Sequence, residues 1–157
     1  MSCPGDTADQ RWWLAKEPTS SDLLEVQGGQ CGSWLAYIQK DAFARYDDVD
    51  LGAPEGEMRL RVVVAADDEN TPGGTISVFA DADATTPVAT CVVPRTGGWW
   101  SWLVVDCGTL SLRGLHSLTF RFYGAETTPF FFNFAAFGVV RSGSPDCTVT
   151  GPKQLDE

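Results

Sequence analysis

Apolar and polar residues alternate along much of the chain after about residue 33. Met58, Leu60 and Val62, for example, alternate with Arg59 and Arg61. A period of two residues, enriched in β-branched and aromatic side chains, is typical of an antiparallel strand with one buried face. No stretch of about a dozen residues carries the apolar stripe of an amphipathic helix. The pattern therefore predicts an all-β protein.

The apolar or alternating runs predict eight strands, separated by segments rich in Gly, Pro and Asp. These runs cover residues 34–39, 43–51, 58–66, 75–81, 88–94, 99–107, 115–124 and 130–141. An isolated apolar segment at 12–15 predicts a first strand lying against the last. Short strands with this spacing favour a β-sandwich, so we expect a jelly roll of about eight to ten antiparallel strands.

Composition limits the domain organisation and the partners. The chain has 157 residues, 43% hydrophobic and 20% charged, which predicts one folded domain over 1–157 with a loose polar tail from about 148. A formal net charge of −10 argues against nucleic acid and anionic membrane as partners. No apolar run reaches the roughly 20 residues that span a bilayer. The first residues show no signal-peptide pattern.

Five cysteines, at positions 3, 31, 91, 107 and 147, lack the C-x-x-C spacing of a zinc site. If 88–94 and 99–107 form a hairpin that turns near residue 98, Cys91 and Cys107 lie opposite each other, close enough for a disulfide. The alternative is two separately buried thiols. A disulfide would place the parent protein outside the cytosol. The pairing of the other three cysteines stays open.

The segment 92–102 contains three of the six tryptophans. Pro94 and two glycines place Trp99 on a loop rim at the start of a predicted strand. There its ring can stack against the apolar C–H face of a sugar, because the indole combines a large apolar surface with one polar group. The alternative is that all three tryptophans pack into the core.

A series of motifs resembles the family 6 carbohydrate-binding modules. The closest is Val-Pro-x-Thr-Gly-Gly-Trp-x-x-Trp at 93–102. The others, in the family's order, are Gln27, Ala-Tyr-Ile at 36–38 with the stretch 46–52, Gly-Gly-Thr-Ile at 73–76 with Asp81, Gly-Leu-His-x-Leu at 114–118 and Phe-Asn-Phe at 132–134. The resemblance covers about 27–140.

This resemblance implies a non-catalytic module that binds a β-linked polysaccharide or its chain end, of β-glucan or xylan type. Such a module would belong to a larger, extracellular glycan-active protein and direct the attached enzyme to its substrate. Two aromatic side chains would flank a sugar while an asparagine bonds its hydroxyls. Trp99 matches the family's loop tryptophan and Asn133 its asparagine. The second flanking aromatic side chain, which forms the other wall of the site, would be Tyr37, our first choice, or Phe43.

Two departures from the family pattern change these expectations. The acidic opening motif that helps to hold a structural calcium falls at 14–16, which reads Leu-Ala-Lys here, and a later family aspartate is Ala135. We therefore expect that calcium site to be lost and no cofactor to be needed. Gly29 stands where many members carry a sugar-contacting glutamate, which Glu25 could replace.

Catalytic motifs are not evident. The sequence has one histidine, His116, and no Gly-x-Ser-x-Gly or His-Glu-x-x-His motif. We therefore expect no enzymatic activity. Two alternatives remain: a structural or adhesion sandwich with buried tryptophans and a protein partner, and a small enzyme with an unrecognised pair of carboxylates.

Overall fold

The computed structural model describes residues 10–29, 32–52, 56–67, 73–125 and 128–143. Over these residues the all-β prediction is confirmed, with eleven strands, no helix and two antiparallel sheets. None of them forms a helix with the length and apolar character needed to cross a lipid bilayer. The expectations for the other three cysteines and for the tail from 148 lie outside the described residues.

The strands follow one another along the chain with short connections. They are β1 (Gln10–Leu14), β2 (Ser20–Asp22), β3 (Glu25–Gly29), β4 (Gly32–Ala36), β5 (Phe43–Asp50), β6 (Met58–Ala65), β7 (Gly74–Ala80), β8 (Ala89–Val93), β9 (Leu103–Thr109), β10 (Leu115–Gly124) and β11 (Asn133–Arg141).

Two sheets share these strands. The six-stranded sheet has the order β3-β4-β11-β6-β9, with β1 also paired to β11. The five-stranded sheet has the order β2-β5-β10-β7-β8. The pairing of β1 with β11, in which Trp12 lies opposite Gly138, confirms that the first apolar segment packs against the last strand.

Aromatic rings fill the space between the sheets. Phe120 and Phe122 of β10 meet Phe134 and Phe137 of β11, and the ring centroids of Phe120 and Phe137 are 4.7 Å apart. Burying each such side chain contributes about 1.5–3 kcal/mol to folding. Tyr46 joins this core, donates its hydroxyl to the Ala15 carbonyl at 2.7 Å, and has its pKa raised by burial.

A disulfide joins Cys91 to Cys107, with their Cα atoms 4.4 Å apart. The hairpin expected around it is wrong, because β8 belongs to the five-stranded sheet and β9 to the six-stranded sheet. The chain leaves β8 at Val93 and enters β9 only at Leu103. The connection between these two strands is long enough to cross from one sheet to the other. The bond therefore connects the sheets and closes the base of residues 94–102, the crossover loop.

The sequence did not predict β2 and β3. Both are short and lie at the edges of their sheets, and their Gly, Ser and Asp content gives them little intrinsic preference for strands. Their pairing with β5 and β4, rather than local propensity, holds them extended. Residues 99–102, expected to begin a strand, belong to the crossover loop instead.

Candidate functional site

A cavity of about 250 Å³, the loop-end cavity, opens beside the crossover loop. It is lined by Gln27, Ala36, Tyr37, Trp99, Trp100, Phe130 and Asn133. Three residues singled out from the sequence, Tyr37, Trp99 and Asn133, thus meet at one place although they are far apart in the chain. They come from the end of β4, the crossover loop and the start of β11.

Tyr37 directly follows β4 and is 40% exposed. Its φ of 52° lies in the left-handed region, which bulky side chains rarely adopt. Gln27 donates its side-chain amide to the Tyr37 hydroxyl at 3.0 Å, and the Phe130 ring contacts the Tyr37 ring edge-on at 5.0 Å. The Tyr37 ring is therefore held in place while part of the side chain stays exposed. Strained backbone of this kind is concentrated at binding and active sites.

Trp99 lies at the tip of the crossover loop and is partly buried. Two amides of this loop, those of Thr96 and Gly98, donate to the Ala66 carbonyl at 3.1 and 3.2 Å. The Thr96 hydroxyl in turn accepts a hydrogen bond from the Ala66 amide at 2.8 Å. The loop is thus fastened to the residue that follows β6, and this contact fixes the position of Trp99.

Asn133 is the first residue of β11 and only 4% exposed. Its side-chain amide donates to the Trp99 carbonyl at 2.7 Å. The amide oxygen makes no hydrogen bond within the described parts of the chain. Asn133 therefore holds the crossover loop in place through this bond. Its amide oxygen remains an acceptor beside the cavity, where a hydroxyl group can donate to it.

Phe43 occupies a different place. It begins β5 in the five-stranded sheet, opposite Asp22 and Arg121, and the Arg121 guanidinium lies 5.7 Å from the centre of its ring. Phe43 does not line the loop-end cavity. Between the two aromatic residues considered for the second wall, only Tyr37 is at the cavity.

Trp12, Trp34, Trp100 and Trp102 form a tryptophan cluster apart from the main core. Trp34 alternates along β4 with Leu35 of the main core, so it points to the outer face of the six-stranded sheet. It is fully buried there, with its ring 6.1 Å from that of Trp102. Trp100 belongs both to the cluster and to the cavity lining. In the sequence, only the position of Trp100 next to Trp99 indicated that it could line the cavity.

Among the residues that the structure describes, no carboxylate, ammonium, guanidinium or imidazole group lines the loop-end cavity. Among the charged surface groups, the marked pKa shifts occur away from this cavity. The Arg59 guanidinium, bonded to both oxygens of Asp106, lowers the pKa of that carboxyl to about 2. Asp81, bonded to His116, raises the pKa of the imidazole. The cavity thus offers aromatic faces and neutral hydrogen-bonding groups.

Comparison with family models matches residues 15–141 to "Carbohydrate binding module (family 6)". The chain belongs to this family. The match begins directly after β1 and extends the resemblance seen in the motifs, about 27–140, to include β2. As a family 6 module it is a carbohydrate-binding module, and the family is one of non-catalytic binding units.

Several solved structures share the fold of this family 6 module. A Clostridium cellulolyticum family 6 module in complex with xylose has 24% identity and a TM-score of 0.69, over 83% of this chain and 95% of that one. A β-1,3-glucan-binding CBM6 from Bacillus halodurans has 23% identity and a TM-score of 0.71, over 84% and 96%.

The same fold also occurs within a larger enzyme. A Bacillus subtilis family 43 arabinoxylan arabinofuranohydrolase has 23% identity and a TM-score of 0.71, over 83% of this chain and 27% of that one. Comparison with curated proteins found no significant match.

The family's structural calcium does not fit the side chains at the corresponding positions. The Ala15 amide donates to the Ala135 carbonyl at 2.9 Å, so residues 14–16 and 135 do lie together. Calcium requires oxygen ligands, whereas the side chains here are those of leucine, alanine and lysine. Across the described ranges, no group of three or more His, Cys, Asp or Glu residues is arranged to hold a metal ion.

Proposed function

We propose that the loop-end cavity binds a sugar residue of a β-linked glycan, of β-glucan or xylan type, at an exposed segment or chain end. The observation that supports this most directly is the meeting of Trp99, Tyr37 and Asn133 around one cavity of about 250 Å³. Among the residues described, neither the cavity that contains Gln39 and Tyr123 nor the one that contains Trp12 and Tyr46 combines two aromatic walls with a buried amide.

The chemistry of the lining suits a pyranose ring. Trp99 and Tyr37 offer aromatic faces against which the axial C–H groups of a β-linked sugar can pack. The Asn133 amide oxygen can accept a hydrogen bond from one hydroxyl, and the Gln27 amide and Tyr37 hydroxyl can engage another. Because these groups are already held in place, little side-chain entropy is lost when the sugar binds.

Two related modules support the glycan class. One was solved with xylose and the other binds β-1,3-glucan. Xylose and the glucose units of a β-1,3-glucan both carry equatorial hydroxyls and present axial C–H groups to an aromatic wall. A single sugar in so small a cavity should bind weakly, because a few contacts leave little free energy after the cost of association.

The biological role we propose is to hold an attached enzyme near its polysaccharide. The Bacillus subtilis hydrolase, in which the matching region is about a quarter of the chain, provides a precedent for that arrangement. In this role the module works outside the cell, has no catalytic activity of its own and requires no cofactor. The disulfide between Cys91 and Cys107 agrees with an oxidising compartment.

Calorimetric titration with xylo-, cello- and laminari-oligosaccharides tests this function. We expect saturable binding of at least one series, reduced at least about tenfold in Trp99→Ala and in Tyr37→Ala. Phe43→Ala is the matched control, because this aromatic residue lies off the cavity, and it should keep the wild-type affinity. A folded Trp99→Ala variant that binds as tightly as the wild type would contradict the site. Lack of binding to every series would favour a structural or adhesion module with a protein partner.

A further inference from the structure

A histidine joins two connections at the end of the sheet where β7 ends and β10 begins. It is His116, the only histidine in the chain, and its side chain is 22% exposed. Its Nδ1 atom lies 2.8 Å from Oδ2 of Asp81, the residue that follows β7. Its Nε2 atom lies 2.8 Å from the carbonyl oxygen of Arg113, in the β9–β10 connection of residues 110–114. The imidazole ring therefore stands between the end of β7 and this connection.

Both neighbours of the imidazole ring are hydrogen-bond acceptors. Neither an ionised carboxylate nor a peptide carbonyl can donate, so each of the two bonds requires an N–H group on the ring. Neutral imidazole carries one N–H group, whereas imidazolium carries two. In the neutral ring, one nitrogen lone pair would face an oxygen atom at 2.8 Å, which is repulsive. The surroundings of His116 therefore fit the protonated ring.

Asp81 is held against β10 by bonds that do not involve the histidine ring. Its Oδ1 atom accepts from the Ser117 amide at 3.1 Å, and its own amide donates to the Ser117 carbonyl at 2.8 Å. The bonds from His116 and from the Ser117 amide lower the pKa of the Asp81 carboxyl. Asp81 is therefore a fixed, ionised acceptor at neutral pH, whether or not the ring is protonated.

The β9–β10 connection is also bonded to the chain that follows β5. The Gly114 carbonyl accepts from the Leu51 amide, and the Gly114 amide donates to the Gly52 carbonyl, both at 2.8 Å. The Arg113 guanidinium donates to the Gly56 carbonyl at 3.1 Å. The bond from His116 to the Arg113 carbonyl therefore links two connections of the sandwich to the end of β7.

The charged side chains carried by the neighbouring elements favour a positive ring. The turn after β7 carries Asp83 besides Asp81. The strand β5, which pairs with the start of β10, carries Arg45, Asp47, Asp48 and Asp50. Arg45 is paired with Asp47, Arg11 of β1 with Asp50, and Arg113 adds one further positive charge. Carboxylates outnumber guanidinium groups here, and the bond to Asp81 is the main cause that raises the pKa of His116.

We propose that His116 is a proton-dependent clasp, which holds the β9–β10 connection to the end of β7 when the ring is protonated and releases it when the ring is neutral. The Asp81 carboxylate is a stronger acceptor than a carbonyl, so the one proton of the neutral ring stays on Nδ1. The bond that is lost is the one from Nε2 to the Arg113 carbonyl. Because the segment that leads to Asn133 leaves the opposite end of β10, the clasp controls local stability and not the loop-end cavity.

The direction of the pH effect follows from the raised pKa of His116. The clasp stabilises the fold fully below the ordinary imidazole pKa of about 6.5. That contribution is lost as the pH rises through the higher pKa of the folded protein. The module should therefore hold this end of the sandwich most firmly in neutral to mildly acidic surroundings.

Nitrogen–proton correlation spectra of the imidazole ring, recorded from about pH 5 to 9, test the clasp directly. We expect a titration midpoint above about 6.5, with both ring nitrogens protonated below it and only Nδ1 protonated above it. The backbone amide signals of residues 113–117 should shift with the same midpoint. Asp81→Asn should lower the midpoint toward about 6.5. Asp83→Asn is the matched control, because this carboxylate is bonded to Thr85 and Thr86 of its own turn, and it should leave the midpoint nearly unchanged.

Thermal denaturation provides a second readout. His116→Phe keeps a flat ring but has no donor, so it should lower the melting temperature at about pH 6 and lower it much less at about pH 9. A midpoint at or below about 6.5, an unchanged midpoint in Asp81→Asn, or a neutral ring protonated on Nε2 would overturn the proposal. An equal loss of melting temperature at both pH values would also overturn it, because His116 would then act independently of its proton.

Discussion

Trp99 and Trp102 lie three residues apart in the crossover loop, yet they have different surroundings. Trp99 lines the loop-end cavity, and its backbone carbonyl is bonded to Asn133. Trp102 packs onto the outer face of the six-stranded sheet, with its ring 6.1 Å from that of fully buried Trp34. Trp100 stands between them and contributes to both regions. One short segment thus contains both a candidate ligand wall and the packing that holds it in place.

The comparison shows that clustered tryptophans need not share one function. The three rings in the crossover loop do not all face a ligand, nor do they all enter the core. The tryptophan cluster covers an outer sheet face that would otherwise expose apolar surface, and it anchors one end of the loop. The bonds of Thr96 and Gly98 to Ala66 anchor the other end. Trp99 therefore lies between the two anchored ends of the crossover loop.

The largest expected effect comes from the tryptophan cluster. Trp34→Ala removes a fully buried indole, so it should lower the free energy of unfolding by about 3–5 kcal/mol. Chemical denaturation measures this loss. Trp34→Phe, which keeps an aromatic ring, should lose less. A loss below about 1 kcal/mol for Trp34→Ala would mean that the cluster contributes little to stability and that its contrast with Trp99 is wrong.

The next largest effect comes from the base of the crossover loop. Replacing both cysteines, Cys91→Ser with Cys107→Ser, removes the connection between the sheets and should lower the free energy of unfolding by about 2–4 kcal/mol. Reduction of the wild type should reproduce most of that loss in thermal denaturation. The double variant should then be insensitive to reductant. Equal stability of the oxidised wild type and the double variant would contradict this role for the disulfide.

The smallest effect concerns pH and separates the cavity from the charged surface. Because Arg59 lowers the pKa of Asp106 to about 2, this pair stabilises the fold above the ordinary carboxyl pKa near 4 and loses that effect as the pH falls through about 2. The pair is substantially exposed, so screening by solvent should keep its contribution to stability small. Acid denaturation of the wild type and Asp106→Asn measures it.

Ligand binding should behave differently over a milder pH range. The described residues that line the loop-end cavity include no acidic, basic or imidazole side chain, so the affinity for a bound oligosaccharide should stay constant from about pH 5 to 8. A change in affinity with a midpoint near neutral pH would indicate that a titrating group takes part, contrary to the site described here.

The fold and the composition of the site were readable from the sequence to different degrees. Alternation within strands such as 115–124 predicted the two-sheet architecture, because buried and exposed faces impose a period of two. The edge strands β2 and β3 were missed because tertiary pairing, and not side-chain preference, extends them. Motif order predicted that Tyr37, Trp99 and Asn133 belong to one site, and the cavity contains all three.

Other parts of the site depended on information that a linear pattern does not contain. The bond from Asn133 to the Trp99 carbonyl, and the left-handed backbone of Tyr37, result from how loops meet in space. The disulfide was expected between hairpin partners, but the chain crosses between sheets, and this became visible only with the strand order.

The most direct test of the central claim uses the indole N–H signals of the six tryptophans in a nitrogen–proton correlation spectrum during titration with the preferred oligosaccharide. Trp99→Phe and Trp34→Phe assign the two decisive signals. The Trp99 signal should shift in a saturable manner, while that of Trp34, fully buried in the tryptophan cluster, should stay in place. A bound oligosaccharide that leaves the Trp99 signal unmoved would contradict the account.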